Sequence, residues 1–132
     1  MKNYLYCLHL DALPAWHQDH KMRIKLANAG ISISRTFTDA HSSALKPFLS
    51  RSEGRMLATA LRPGDTIYVL DWLVIVSPTP KDQETFTSFM KKRDVTILDR
   101  YLKEKKSLNA TSKYPRRRLN ELHFRARKRL AD

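Results

Sequence analysis

An apolar, aromatic-rich run, Asn3 to Leu10 (NYLYCLHL), opens the chain and predicts a first, central strand. A break follows at Asp11 to Pro14. His17 to Ala29 then repeats with helical spacing: Met22, Leu26 and Ala29 form one stripe, and Lys21, Arg23 and Lys25 lie largely off it. Gly30 stops this helix as a C-terminal cap. Ile31 to Phe37 alternates apolar and polar residues and predicts a second strand, and Thr38 to Pro47 a polar loop. From Ser50 the pattern turns helical again, with Met56, Leu57, Ala60 and Leu61 on the apolar face and Ser50 as the candidate cap. Pro63-Gly64 breaks this second helix. Thr66 to Val76 is apolar on both faces except for Asp71, as in a strand of a parallel sheet covered by helices on both sides.

After the turn Ser77-Pro78-Thr79-Pro80, Thr79 caps a third helix with Pro80 at its first position and Asp82 in its first turn. That helix runs to about Lys92 with Phe86, Phe89 and Met90 inward, and Val95 to Leu98 is a fourth strand. Strands alternating with helices predict an α/β domain: an open, mainly parallel sheet of about four strands flanked by helices, over residues 1–99. Composition shifts at Arg100. KEKKSLNATSK reads as a linker, and Arg116 to Leu130 as a basic C-terminal helix with Leu119, Leu122, Ala126 and Leu130 on one stripe, so 100–132 forms a separate tail.

Charge changes the picture most. The 132 residues hold 25 Lys and Arg against 13 Asp and Glu, a net charge of +12. Residues 113–132 carry eight bases and two acids, half of that excess. Such a field favours nucleic acid, and Arg116, Arg117, Arg118, Arg125, Arg127, Lys128 and Arg129 are the candidate contacts to a DNA, or RNA, backbone. No apolar run reaches the roughly 18 residues of a membrane span, and no signal-peptide pattern opens the chain, so a cytoplasmic protein is expected. The lone Cys7 excludes an internal disulfide and reads as a buried thiol. The five histidines are scattered, and three glycines cannot build a phosphate loop, so neither metal nor cofactor is expected.

Four stretches carry a family resemblance. Tyr6 lies in the first strand, where the resolvase/invertase serine recombinases have an aromatic-small-Arg-x-Ser signature. Ala29-Gly30-Ile31 followed by Arg35-Thr36-Phe37-Thr38-Asp39 is similar to the family's aGv…r.F.D segment. Arg51 stands 13 residues before Gly64, as an active-site arginine does before the family's GD pair. Gly64-Asp65-Thr66-Ile67-Tyr68-Val69 resembles GDtivV. The resemblance covers about residues 2–99 and implies a resolvase N-terminal-domain-like fold, an oligomer and an origin in a mobile element or phage.

The departures fall on the chemistry. In the family an arginine and the nucleophilic serine occupy the positions of Leu8 and Leu10 here, and two further arginine positions fall on Trp72 and Ile75. Asp39, Arg51 and Asp71 are the family-like residues that remain, and Met22 stands where the family often has glutamine. Leucine offers neither a nucleophile nor charge to a phosphoryl group. Three readings stay open: an inactive, DNA-binding modulator of recombination or another DNA transaction, alone or with an active recombinase; a divergent active site-specific recombinase using Ser42, Ser43, Ser50 or Ser77; and a protein-interaction module whose former cleft is lined by Leu8, Leu10 and Trp72.

Overall fold

The computed structural model describes residues 1–77 and 79–102. The expected C-terminal helix and its basic residues lie outside them. Four strands form one parallel sheet in the order β2-β1-β3-β4, with β1 Asn3–Leu8, β2 Arg35–Asp39, β3 Thr66–Tyr68 and β4 Thr96–Leu98. The α/β class, the parallel sheet and the central first strand are as the sequence predicted.

β1 is buried from Tyr4 to Leu8 because both faces are covered. Tyr4, Tyr6 and Leu8 point into a large core built with Phe37, Ile67 and Val69, with α2 (Ser52–Ala60) through Leu57, and with α3 (Pro80–Lys92) through Phe86 and Met90. Leu5 and Cys7 point to the other face, where Met22 and Leu26 of α1 (Ala15–Asn28) and Tyr68 pack. Edge-to-face contacts join Tyr6 to Phe48 at 5.0 Å and Phe48 to Phe86 at 5.1 Å between ring centroids. The third helix matches its prediction, with the Thr79 hydroxyl accepting the Asp82 N–H at 3.2 Å.

Five local predictions are corrected. Ile31 to Ser34 is not strand. Gly30 sits at φ +74°, its N–H bonds the Ala27 carbonyl, and the Ile31 N–H returns to the Leu26 carbonyl at 2.9 Å, which closes α1 in a Schellman motif. Ile31 and Ile33 pack instead on the α1 core, and Ala29 is exposed, its place in the stripe taken by Gln18. In α2, Met56 is exposed, and Gly54, Leu57, Ala58 and Leu61 face inward. Gly54 sets that rotation, since a Cβ there would overlap the Phe48 carbonyl oxygen. Ser50 makes no cap: Arg51 occupies that position, and no side chain of its own closes the helix start. Finally, Ile67 to Val76 is buried throughout, but strand pairing stops near Val69 and a 3₁₀ turn spans Trp72–Val74. The Asp71 carboxylate accepts the Leu73 N–H at 2.9 Å and turns the chain. Apolar content alone cannot separate a strand from such a turn.

Candidate functional site

In an open parallel sheet the functional crevice lies beyond the carboxyl ends of the strands, where the strand order switches. Here β1 connects to β2 on one side and is flanked by β3 on the other, so the switch falls between β1 and β3. The residues at that pole are Leu8 at the end of β1 and Leu10 beyond it, Asp39 at the end of β2, Asp71 and Trp72 after β3, and Asp99 after β4.

The centre of this pole is a buried polar network. Tyr6 Oη donates to Asp39 Oδ2 at 2.8 Å and accepts from Arg51 Nη1 at 3.2 Å. Asp39 was expected in a loop; it is the last residue of β2 and 2% exposed. Its two oxygens also accept the Glu53 N–H at 2.8 Å and the Gly54 N–H at 3.0 Å. Asp39 is thus the cap of α2, supplied from a distant strand, with its charge at the positive end of the helix. Arg51 is fully buried. Nη1 also donates to the Val74 carbonyl at 2.7 Å and Nε to the Lys46 carbonyl at 2.9 Å, while Nη2 has no hydrogen-bond partner. Burial, reinforced by Asp39 and opposed by Arg51, raises the Tyr6 pKa, so Tyr6 stays a neutral phenol.

The loop after β1 is pinned as well. Gln18 Nε2 donates to the carbonyls of Leu8 and Leu13 at 2.5 and 2.8 Å, and its Oε1 accepts the Leu8 N–H at 3.2 Å. Leu10 and Leu13 exchange backbone hydrogen bonds at 3.2 and 3.1 Å. The sequence reading missed Gln18. The available signal was a glutamine four residues before Met22, on the same helix face. Leu8, Leu10, Trp72 and Ile75 are all core residues, at most 5% exposed. Trp72 Nε1 donates to Asp99 Oδ2 at 3.1 Å, and Asp71 faces Arg100 at 3.9 Å.

No family model and no curated protein matches the chain. Among solved structures it is similar to the crystal structure of the N-terminal catalytic domain of TP901-1 integrase, with a TM-score of 0.64 over 97% of this chain and 98% of that one. The chain has the fold of a serine-recombinase catalytic domain. At 17% identity the likeness is one of fold.

Within that recombinase fold, the structure joins Asp39 and Arg51 through Tyr6 and leaves Asp71 apart, capping its own 3₁₀ turn. Of the serines weighed as nucleophiles, Ser42 is exposed, Ser43 is buried, Ser50 ends a 3₁₀ turn and the buried Ser77 Oγ has no hydrogen-bond partner. The one arginine of the network gives Nε and Nη1 to Tyr6 and two carbonyls and leaves Nη2 without a hydrogen-bond partner. Among the described residues no group of three His, Cys, Asp or Glu side chains is placed to hold a metal, and no helix is long and apolar enough to cross a membrane. Burial pushes the Cys7 thiol up to about 12, which leaves it unreactive near neutral pH.

Proposed function

We propose that this protein is a catalytically silent relative of the serine recombinases that binds DNA and modulates recombination or another DNA transaction. One observation carries the silent half. At the strand ends where a recombinase fold would present a hydroxyl and guanidinium groups to a phosphate, Leu8, Leu10, Trp72 and Ile75 are buried, and Arg51 is held by Tyr6, Lys46 and Val74. Phosphoryl transfer needs a nucleophile and charge facing the same phosphate. A similar structure that is itself an integrase catalytic domain supports DNA as the partner, as does the net charge of +12.

The binding half rests on the basic segment: Arg116, Arg117, Arg118, Arg125, Arg127, Lys128 and Arg129 contact phosphates without reading sequence. Two measurements test the reading. Supercoiled DNA incubated with the protein yields no covalent protein–DNA species; a phosphoserine-linked adduct would overturn the silent half. Exchanging the seven bases for glutamine lowers affinity and flattens the salt dependence by about 0.9 in log–log slope per lost phosphate contact. An unchanged slope removes the segment from the interface.

A further inference from the structure

The described residues place charged groups at both poles of the sheet. At the carboxyl ends stand Asp11, Asp39, Asp71 and Asp99, with Arg51 buried, Arg100 facing Asp71 and Lys46 exposed. At the amino ends, besides the buried Asp65 and the exposed Arg93 and Asp94, stand Lys2, Arg35 and Arg62, all exposed. These three, with Met1 and Ser34 at the rim and Tyr4 and Phe37 behind, surround a cleft of about 460 Å³.

The cleft is a built feature. Asp65 is 2% exposed and accepts the Lys2 N–H on Oδ1 and the Arg62 N–H on Oδ2, each at 2.8 Å. One carboxylate therefore fixes the backbone of two of the cations. Its oxygens are turned to those amides, although it contributes to the cleft wall. Register places the third: Arg35 pairs with Tyr4 across β1–β2, and the Ser34 N–H bonds the Asn3 carbonyl at 2.8 Å. The Arg35 guanidinium stacks 4.5 Å from the centroid of Phe37, which orients it without neutralising it. No ion pair to a carboxylate engages Lys2, Arg35 or Arg62 among the described residues. Three like charges held around one hollow repel one another, and a bound anion relieves that repulsion.

We propose that this cleft binds a phosphate group, at the pole of the sheet opposite the network of Tyr6, Asp39 and Arg51. Forked guanidiniums and an ammonium are the donor types that suit a phosphate oxyanion. The phosphate comes either from a nucleic-acid backbone or from a free phosphorylated solute. The inference does not need the basic segment 113–132 to bind DNA.

The test is amide NMR on the full chain, titrated separately with inorganic pyrophosphate and with a short DNA duplex. Saturable shifts at Lys2, Ser34, Arg35 and Arg62 are expected. In the R35Q/R62Q variant the affinity for whichever probe binds drops about tenfold, the equivalent of two exposed charge pairs. Shifts with pyrophosphate alone identify a free solute, and shifts with the duplex identify backbone phosphate. No shift at these residues with either probe overturns the proposal. So does an R35Q/R62Q titration that matches the wild type, or shifts that follow protein concentration without a ligand, which would mark contact between copies of the chain. Loss of duplex binding with pyrophosphate shifts intact would defeat the DNA reading and leave this one standing.

Discussion

Exchanging Asp39 for asparagine tests the energetic centre of the domain. The carboxylate accepts three hydrogen bonds, from Tyr6 Oη, Glu53 N and Gly54 N, at 2.8 to 3.0 Å. Asparagine keeps one oxygen, so its amide nitrogen must face a donor. The change also removes the carboxylate that Tyr6 links to a fully buried arginine. A buried hydrogen bond to a charged group contributes about 1.5–3 kcal/mol, and stranding a buried charge costs about 3–5 kcal/mol. These terms overlap, so the expected loss is about 3–5 kcal/mol. For 132 residues that lowers the thermal midpoint by roughly 10–20 °C, read by circular dichroism. The second arm is D39N/R51M. Removing the guanidinium relieves the stranded charge, so the double variant should regain about 1–3 kcal/mol over the sum of the single changes. D19N is the control: Asp19 pairs with Arg23 on the surface, and its loss should stay within about 0.5 kcal/mol. A D39N midpoint within about 3 °C of wild type, or strict additivity with R51M, would refute the reasoning.

Three further outcomes are expected. Trp16 is 69% exposed and Trp72 is 2% exposed, so the W16F protein should show blue-shifted emission that acrylamide barely quenches, whereas strong quenching would place Trp72 outside the core. G54A should destabilise by about 1–3 kcal/mol in urea, because the new methyl group meets the Phe48 carbonyl and α2 must move; a neutral G54A would contradict that packing. The raised Cys7 pKa sets an alkaline limit. The unfolded thiol ionises from about pH 9 and the folded one near 12, so the folded state holds the extra proton between them. Stability is intact below pH 9 and falls by about 1.4 kcal/mol per pH unit across that window. C7A should flatten this decline in urea titrations at pH 9 to 11, and an identical decline would refute it.

The sheet was legible because its signals are redundant. Three apolar runs and one alternating run, separated by helical repeats, allow few arrangements, and burial on both faces leaves β1 and β3 almost free of polar residues. Errors arose where one residue decides between alternatives with the same apolar content. Gly30 diverted Ile31 and Ile33 from the sheet to the α1 core. Asp71 bent a buried run into a 3₁₀ turn. Gly54 rotated α2 by its lack of a side chain. The polar network was half legible. Asp39 and Arg51 stood out by spacing, but their link runs through a tyrosine 33 and 45 residues away in sequence, and no local pattern encodes that. Gln18 escaped for a different reason: a polar side chain on an apolar stripe gives no hint that its partners are the backbone groups of Leu8 and Leu13.

What the network does for folding bears on how far the family-like residues argue for activity. Asp39 closes the start of α2, and Arg51 ties the carbonyls of Lys46 and Val74, so both have structural work that does not involve a phosphate. Their presence is therefore no measure of catalysis. On the proposed reading the positions that bear on catalysis are Leu8, Leu10, Trp72 and Ile75, and each belongs to the hydrophobic core. Placing an arginine at Leu8 would bury a charge beside a strand end already occupied by Gln18, at a cost of several kcal/mol. The apolar residues and the pinned loop after β1 thus form one consistent solution: buried apolar side chains fill the carboxyl pole, and Asp11, Asp39, Asp71 and Asp99 stand there beside Arg51, Arg100 and Lys46. Exposed positive charge also stands elsewhere on the domain, and Lys2, Arg35 and Arg62 gather it around one cleft.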